Sequence, residues 1–396
     1  MDIKAGNEPM SITCKGGGSH AVFTAELLSS KQASRWVNTF LLTLLLALPM
    51  TASAASWWCS FLPFLPGCVV ATGPLIEVTG FGSNPGNLKM FKYLPANLGA
   101  SRPLVVALHG CKQQASDYDD EPDWIKFADK HRFALLLPEQ QLVNNSSKCF
   151  NWFLPGHNER DKGEALSIKQ MFDKIKTDAN IDPQKVYVTG LSAGGGMTAV
   201  MLAAYPELFA GGAIIAGIPY KCAKDATEAL NQCGVSLSGQ LAPIKNLTPP
   251  QWGSLVRNAS GHNGPFPRVS IWQGTSDITV NPQDQKELVD QWANVLGIDQ
   301  IPDTEGTING HAHKLYKDNN GKALVETVLI NGMGHGTPID PGNADSQCGK
   351  AAPFILSVGV CSSFYIVKFW GLDGPNGQKK IDPPCCRRFL YRATRQ

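Results

Sequence analysis

Short apolar runs that end at glycine or proline recur along the chain, and stretches with helical periodicity separate several of them. The runs occupy residues 104–108, 133–137, 186–189, 213–216, 269–272 and 325–330. Such runs are typical of strands that are buried on both faces of a parallel sheet. Apolar residues at helical spacing follow in residues 165–180, 198–205 and 283–296. The sequence therefore predicts an α/β fold, with a mostly parallel sheet and helices on both faces.

The amino terminus carries the pattern of an export signal. An apolar run covers residues 39–49, Lys31 and Arg35 precede it, and residues 52–54 read A-S-A, a small-residue cleavage site. The run is shorter than the roughly 20 residues that a membrane span needs. We therefore expect a cleaved signal peptide over residues 1–54, secretion or a periplasmic location, and no stable membrane span after cleavage. A signal anchor is the alternative interpretation.

Three further segments follow the expected signal peptide. Residues 55–75 are rich in aromatic residues and proline, and residues 76–372 carry the alternating strands and helices. Within the domain of residues 76–372 we expect residues 218–265 to form an irregular insertion. Residues 373–396 form a polar, basic tail that we expect to be flexible.

Charge and cysteine content exclude several classes of function. The chain has 35 Lys and Arg against 33 Asp and Glu, a net charge of +2, which argues against nucleic acid as a partner. Eleven cysteines are many for a cytosolic protein of this length and fit an oxidising compartment. They form no paired C-x-x-C motifs and have no histidine cluster beside them, so we predict no metal site and no cofactor.

The spacing of the cysteines predicts disulfides. Two pairs close loops of about ten residues, a third joins segments that follow two early strands, and a fourth brackets the aromatic segment. These pairs are Cys222–Cys233, Cys348–Cys361, Cys111–Cys149 and Cys59–Cys68. Cys385 and Cys386 are adjacent in the tail and are not assigned.

A candidate nucleophile lies in a G-x-S-x-G motif. Residues 190–194 read G-L-S-A-G, between an apolar strand and a glycine-rich helix. In this context the serine occupies a strained strand-to-helix turn whose neighbours must lack bulk. We therefore predict that Ser192 is a nucleophile at a helix N-terminus. A glycine-rich helix cap without chemistry is the alternative.

A serine needs a base, and in this architecture an acid and then a histidine follow the serine along the chain. Asp277 lies in the turn after one predicted strand, and His335 lies among glycines after the last one. We predict that His335 is the base and that Asp277 orients it. A turn-stabilising aspartate and an exposed loop histidine are the alternatives. Asp284 is a substitute for the acid, but it lies inside a predicted helix. The histidines in residues 311–313 are expected in a polar turn.

Acyl transfer also requires backbone N–H groups that stabilise the oxyanion. The residue after the nucleophile, Ala193, supplies one candidate donor. The loop after strand 104–108 begins H-G-C, and the N–H of Cys111 is the second candidate. An ordinary strand-end turn is the alternative for this loop. A nucleophilic Cys111 thiol is a further alternative, but no base lies near it in sequence.

These motifs together resemble a known family, the short-chain polyhydroxyalkanoate depolymerases, which are poly(3-hydroxybutyrate) depolymerase-type esterases. The segments that carry the resemblance are residues 108–111, 149–153, 190–195, 333–338 and 369–372. The resemblance covers roughly residues 76–372. It implies an α/β-hydrolase fold and hydrolysis of a hydroxyalkanoate ester through an acyl-enzyme.

Carried over to this sequence, the resemblance assigns the nucleophile to Ser192, the base to His335, its orienting acid to Asp277 and the oxyanion hole to Cys111. It also makes Trp152 a candidate for the substrate pocket. Only about 60 residues follow His335. That is too few for the separate polymer-binding domain of secreted relatives, so we expect weak adsorption to solid polymer.

We thus expect an exported serine esterase that acts on poly(3-hydroxybutyrate) or short-chain 3-hydroxyalkanoate oligoesters. A polyester or oligoester is the expected binding partner, and no obligate protein partner is expected. A feruloyl or acetylxylan-type carbohydrate esterase is the first alternative, because the wider group to which the resemblance extends includes such enzymes. A catalytically silent surface-binding protein is the second.

Overall fold

Twelve strands and nine α-helices make up the described part of the chain, which in this computed structural model comprises residues 74–96, 98–99 and 102–374. The strands are β1 (Ile76–Val78), β2 (Lys89–Tyr93), β3 (Leu104–Leu108), β4 (Ala134–Glu139), β5 (Val186–Leu191), β6 (Gly211–Ile215), β7 (Arg268–Gly274), β8 (Thr304–Ile308), β9 (His311–Lys317), β10 (Ala323–Ile330), β11 (Thr337–Ile339) and β12 (Ile355–Ser357). The helices are α1 (Ala115–Tyr118), α2 (Trp124–His131), α3 (Pro155–Asn158), α4 (Gly163–Ala179), α5 (Ala193–Ala204), α6 (Ala226–Gln232), α7 (Pro249–Arg257), α8 (Asp284–Leu296) and α9 (Ser362–Trp370). The expected signal peptide, residues 55–73 and residues 375–396 lie outside these ranges.

Ten of the strands form one sheet with a parallel centre. Its order is β1-β2-β4-β3-β5-β6-β7-β10-β9-β8. The six strands from β4 to β10 in this order pair in parallel. Antiparallel strands extend the sheet at both edges, β2 and β1 at one and β9 and β8 at the other. The parallel centre confirms the predicted α/β class.

The sheet is buried between two apolar cores. Along β3, Leu104 and Val106 belong to one core, whereas Val105 and Ala107 belong to the other. This alternation follows from the two-residue period of a strand. Helices α4, α5, α7 and α8 contribute to the first core, and α2 and α9 to the second. The prediction of helices on both faces is confirmed.

The antiparallel edge strands have no clear signal in the sequence. An edge strand with one solvated face needs no continuous apolar run, and β9 has only one buried residue, Tyr316. The expectation that the histidines of residues 311–313 lie in a polar turn is therefore wrong. Both lie on β9, where His313 Nε2 is 2.8 Å from Glu326 Oε1.

The segment between β6 and β7 is more regular than expected. Helices α6 and α7 lie within residues 218–265, so the prediction of an irregular insertion is wrong in part. A capping box formed by Thr248 and Gln251, with Pro249 at the first helical position, explains the start of α7. The indole Nε1 of Trp252 donates to Glu287 Oε2 at 2.8 Å, which fixes α7 on α8.

Three of the four predicted disulfides are present, and Cys59–Cys68 lies outside the described residues. The bonds are Cys111–Cys149, Cys222–Cys233 and Cys348–Cys361. They fit an oxidising compartment. None of the helices within residues 74–374 is long and apolar enough to cross a membrane.

Candidate active site

Ser192 occupies a strained turn between β5 and α5. Its backbone has φ 57° and ψ −118°, a conformation that is rare for a residue with a side chain. A Cβ atom at Gly190 would lie 2.4 Å from the carbonyl oxygen of Gly194, and a Cβ atom at Gly194 would lie 2.3 Å from that of Leu108. Both positions therefore accept only glycine. This steric requirement explains the two glycines of the G-x-S-x-G motif.

Helix α5 begins directly after the serine. It starts at Ala193, which agrees with the prediction of Ser192 at a helix N-terminus, and it includes most of the apolar helical stretch at residues 198–205. The glycines of its first turn have weak helix propensity, but close packing on the sheet overrides it. A Cβ atom at Gly195 would lie 3.0 Å from the Cα atom of Gly217. Ser192 is the N-cap residue, so the first N–H groups of the helix, which have no acceptor within it, follow the serine directly.

Asp277 and His335 are joined by a hydrogen bond. The imidazole Nδ1 of His335 lies 2.8 Å from Oδ2 of the buried Asp277 carboxylate. Because an ionised carboxylate only accepts hydrogen bonds, Nδ1 is the donor and Nε2 carries the free lone pair. The backbone N–H groups of Thr279 and Val280 donate to the other oxygen, Oδ1, at 2.8 and 2.9 Å. The carboxylate is thus held in one orientation.

The loops that carry this pair follow neighbouring strands, β7 and β10. The N–H of Ser276 donates to the Met333 carbonyl at 2.9 Å, and the N–H of Gly332 donates to the Thr275 hydroxyl at 2.8 Å. These bonds tie the two loops together at the carboxyl end of the sheet. The hydrogen bonds between the two loops therefore fix the distance between Asp277 and His335.

Asp284, the substitute candidate, does not occupy the acid position. It is the first residue of α8 and is buried, and the imidazole of His335 bonds to Asp277 instead. Burial raises the pKa of Asp284 well above its usual range, and the nearby charge of Glu287 adds to this effect. A raised pKa disfavours the charged form of this carboxyl group, and that form is the one that would stabilise an imidazolium.

The loop after β3 presents one unoccupied N–H group. The Gln113 side chain accepts from the N–H of Gly110 at 2.8 Å, the Ser147 carbonyl accepts from that of Lys112 at 2.7 Å, and Gln113 N–H donates back to Gly110 O at 3.3 Å. Within the described residues no acceptor takes up the N–H of Cys111. The N–H of Ala193, the first residue of α5, has no acceptor within its helix. These are the two predicted oxyanion donors.

His109 anchors this loop as a neutral imidazole. Its Nε2 accepts a hydrogen bond from the N–H of Gln140 at 3.1 Å, so Nδ1 carries the proton and donates to Gly110 O at 2.7 Å. Burial lowers the pKa of His109 from 6.5 to about 4. The histidine after β3 therefore connects the oxyanion loop to the end of β4 and does not act as a base.

A cavity of about 620 Å³ lies over Ser192 and His335, which both line it. Trp152 forms part of its wall and packs on α5, where a Cβ atom at Gly196 would lie 2.8 Å from the indole. The Cys111–Cys149 disulfide lies in the same wall. Cys111 is thus a bonded half-cystine, which excludes the alternative of a nucleophilic thiol.

A cap formed by residues 218–239 covers one side of the cavity, and sequence reasoning did not find it. It includes α6 and is closed by the Cys222–Cys233 disulfide. The N–H of Ser236 donates to the Thr279 carbonyl at 2.8 Å, which anchors the cap to the loop of Asp277. Two closely spaced cysteines around a short stretch that favours helix, ATEALNQ at residues 226–232, are the signal that could have indicated it. Within residues 74–374 no three His, Cys, Asp or Glu side chains cluster as a metal site would require.

Comparison with known proteins agrees with this geometry. The family described as esterase PHB depolymerase matches residues 88–244. Poly(3-hydroxyalkanoate) depolymerase C of Paucimonas lemoignei is 54% identical over 301 residues, which cover 76% of this chain and 70% of that protein. The chain belongs to the PHB depolymerase family of esterases. It is a serine carboxylic-ester hydrolase.

More distant members of the group carry carbohydrate-ester names. An acetylxylan esterase of Coprinopsis cinerea is 35% identical over 281 residues, covering 69% of this chain and 72% of that protein. Among solved structures, an acetyl xylan esterase from Aspergillus awamori superposes with a TM-score of 0.60 at 26% identity, over 76% of this PHB depolymerase-family chain and all of that one. The α/β-hydrolase fold that the sequence resemblance implied is confirmed.

The buried His109 makes stability depend on pH. Its imidazole is neutral in the folded protein, whereas the unfolded chain binds a proton near pH 6.5. Protonation of the unfolded chain therefore lowers the free energy of unfolding below that pH, by roughly 3 kcal/mol once the pH has fallen to about 4. Urea unfolding of the wild type and of His109→Asn between pH 7 and about pH 4 measures this contribution.

The variant lowers the free energy of unfolding at pH 7 and shows a shallower fall with pH, since all other titrating groups are shared. Equal slopes for the two proteins would contradict a buried neutral His109.

Proposed function

We propose that this esterase hydrolyses poly(3-hydroxybutyrate) or its short 3-hydroxyalkanoate oligoesters, with Ser192 as nucleophile, His335 as base and Asp277 as the orienting acid. One observation carries the mechanism. The Asp277–His335 hydrogen bond fixes the imidazole tautomer, and the ring shares a cavity with a strained serine at a helix N-terminus. The substrate class is supported by the 54% identity to poly(3-hydroxyalkanoate) depolymerase C.

Acylation begins when Nε2 of His335 removes the proton of Ser192 and the serine oxygen attacks the ester carbonyl. The negative charge that develops on the carbonyl oxygen is stabilised by the N–H groups of Cys111 and Ala193. Asp277 stabilises the imidazolium through its 2.8 Å bond to Nδ1. The protonated histidine then donates its proton to the leaving alcohol.

Deacylation repeats these steps with water as the nucleophile. His335 removes a proton from the water, the same two N–H groups stabilise the second oxyanion, and the hydroxy acid is released. The serine regains its proton from the histidine. No step requires a metal or an organic cofactor.

The cavity wall supports an uncharged aliphatic ester as substrate. Apolar groups form most of the cavity wall, and they include Trp152, Phe153, Ile218 and Leu230. Among the described residues, no Asp or Glu side chain lines the cavity, and Lys112 is the only Lys or Arg that does. A chain of ester and alkyl groups can be covered by such a wall without leaving a charge unpaired.

Exposed apolar residues that line this cavity, or lie close in sequence to residues that line it, support contact with a solid polymer. Five of the seven large apolar side chains that are exposed in the described ranges line the cavity or lie within three residues of its lining. These rim residues are Leu142, Val143, Leu237, Leu241 and Ile278. They expose between 50% and 84% of their surface. A grouping of this kind is typical of an interaction surface.

Export is also part of this proposal. The three disulfides fit an oxidising compartment, and the apolar run at residues 39–49 is of the length of a signal sequence.

A carbohydrate esterase is the second candidate, because the acetylxylan esterase of Coprinopsis cinerea is 35% identical. The same triad would serve either acyl group. We favour the polyester because the identity to the depolymerase is higher and because the rim is aliphatic. The third alternative, a catalytically silent binding protein, leaves the Asp277–His335 pair without a role.

Hydrolysis of two substrates tests the proposal. Mature wild type is expected to release 3-hydroxybutyrate from a soluble hydroxybutyrate trimer and from amorphous polymer granules, as measured by chromatography of the acid. The activity of Ser192→Ala is expected to be at least about a thousandfold lower than that of the wild type, because the substitution removes the nucleophile. Cleavage of acetylated xylan or feruloyl esters without cleavage of the trimer would favour the carbohydrate esterase.

The rim is tested by replacing residues that do not line the cavity. We expect Leu142→Ser, Val143→Ser and Leu241→Ser together to weaken adsorption to granules about ten- to a hundredfold. Each covered aliphatic side chain contributes on the order of 1 kcal/mol. Trimer hydrolysis is expected to stay at the wild-type rate. Binding isotherms on granules and trimer kinetics provide the two measurements.

Ile76→Ser with Ile301→Ser is the matched control, since these side chains are equally exposed but lie away from the cavity lining. If the three rim substitutions and the two control substitutions weaken adsorption by the same free energy per substitution, the rim has no special role.

A further inference from the structure

Glu164 is a fully buried carboxylate that does not line the cavity. It lies in the first turn of α4, where the helix dipole favours a negative charge. Three donors converge on it. Oε1 accepts from Gln140 Nε2 and from Asn151 Nδ2, both at 2.6 Å, and Oε2 accepts from the Asn151 backbone N–H at 2.8 Å. His157 Nδ1 lies 3.4 Å from Oε1.

The first connection runs from Glu164 to the backbone before the oxyanion loop. Gln140 uses its side chain to bind Glu164 and its backbone N–H to bind His109 Nε2 at 3.1 Å. His109 in turn holds the Gly110 carbonyl at 2.7 Å. The position of Gln140 therefore contributes to the placement of the peptide between Gly110 and Cys111, together with the bonds that Gln113 makes to Gly110.

The second connection reaches Cys111 through its disulfide. Nε2 of Gln140 also donates to the Cys149 carbonyl at 3.2 Å. Asn151, which Glu164 holds by two bonds, accepts from Asn145 Nδ2 at 3.0 Å, and Asn145 Oδ1 accepts from the Cys149 N–H at 3.3 Å. Cys149 is bonded to Cys111. Both ends of the peptide that offers the oxyanion N–H are thus connected to one carboxylate.

We propose that Glu164 is a positioning residue for the oxyanion hole, acting through Gln140 and His109 on one side and through Asn151 and Cys149 on the other. This inference rests on the proposed function, since it assigns a role to the N–H of Cys111. A carboxylate is required because both oxygens accept. A glutamine would have to turn its amide NH₂ toward an N–H donor at one of the two positions.

The test compares Glu164→Gln with wild type on p-nitrophenyl butyrate, at a temperature well below both unfolding midpoints. We expect kcat to fall about 10- to 100-fold, because small displacements of a catalytic group cost factors of this size. KM is expected to change by less than about threefold. An alkylboronic acid adds to the serine as a tetrahedral anion, so its inhibition constant is expected to rise by the same factor as kcat falls.

Glu326→Gln is the matched control. Glu326 is also buried and also accepts hydrogen bonds, from Ser270 at 2.6 Å and from His313 at 2.8 Å, but it has no bond to the oxyanion loop. We expect this control to lower the unfolding midpoint while kcat stays within about twofold of wild type. An unchanged kcat in Glu164→Gln, or equal losses in both variants, would overturn the inference.

If Glu164→Gln does not fold, Gln140→Met tests the same proposal. It removes the side-chain connection and keeps the backbone N–H that binds His109. We expect kcat to fall at least about fivefold, and an unchanged kcat would overturn the proposal. A wild type without esterase activity would instead count against the proposed function, so the two failures are distinguishable.

Discussion

The positive φ of Ser192 is the constraint on which the rest of the site depends. A non-glycine residue keeps φ 57° and ψ −118° only when the surrounding structure holds it there. Here β5 enters the turn from the centre of the sheet, α5 leaves it at once, and Gly190 and Gly194 let the two elements approach to a distance that no Cβ would allow. The apolar cores on both faces supply the free energy that offsets the strain. The serine therefore projects from a rigid part of the molecule.

The groups around the serine reach it from separate strands, and each is held by buried polar contacts. The Asp277 carboxylate accepts hydrogen bonds from two N–H groups of its own turn and from His335. In the oxyanion loop, His109 binds the Gly110 carbonyl and Gln113 binds the Gly110 N–H, so the N–H of Cys111 stays available. Such contacts are costly to bury unless they are complete. Their completeness means that the site is organised before an ester binds, as catalysis by fixed dipoles requires.

Much of this arrangement could be predicted from the sequence because its signals are local. A G-x-S-x-G motif between a strand and a helix predicts a tight strand-to-helix turn, and apolar runs identify the parallel strands. The edge strands, the helical cap and the role of Glu164 could not be predicted. β9 carries His311 and His313 in place of an apolar run, and the cap depends on tertiary contacts such as that between Ser236 and Thr279. In the sequence, Glu164 is indistinguishable from an exposed glutamate in the first turn of a helix. Only the structure shows the three donors that bind it.

Covalent labelling tests the central claim most directly. Intact-mass and peptide mass spectrometry after treatment with a fluorophosphonate should show one adduct per chain, on Ser192. The labelling rate should fall at least about a hundredfold in His335→Ala, since in the proposed mechanism the histidine removes the serine proton during the attack. An adduct on another residue, or an unchanged labelling rate in the variant, would contradict the assignment of an activated serine at this turn.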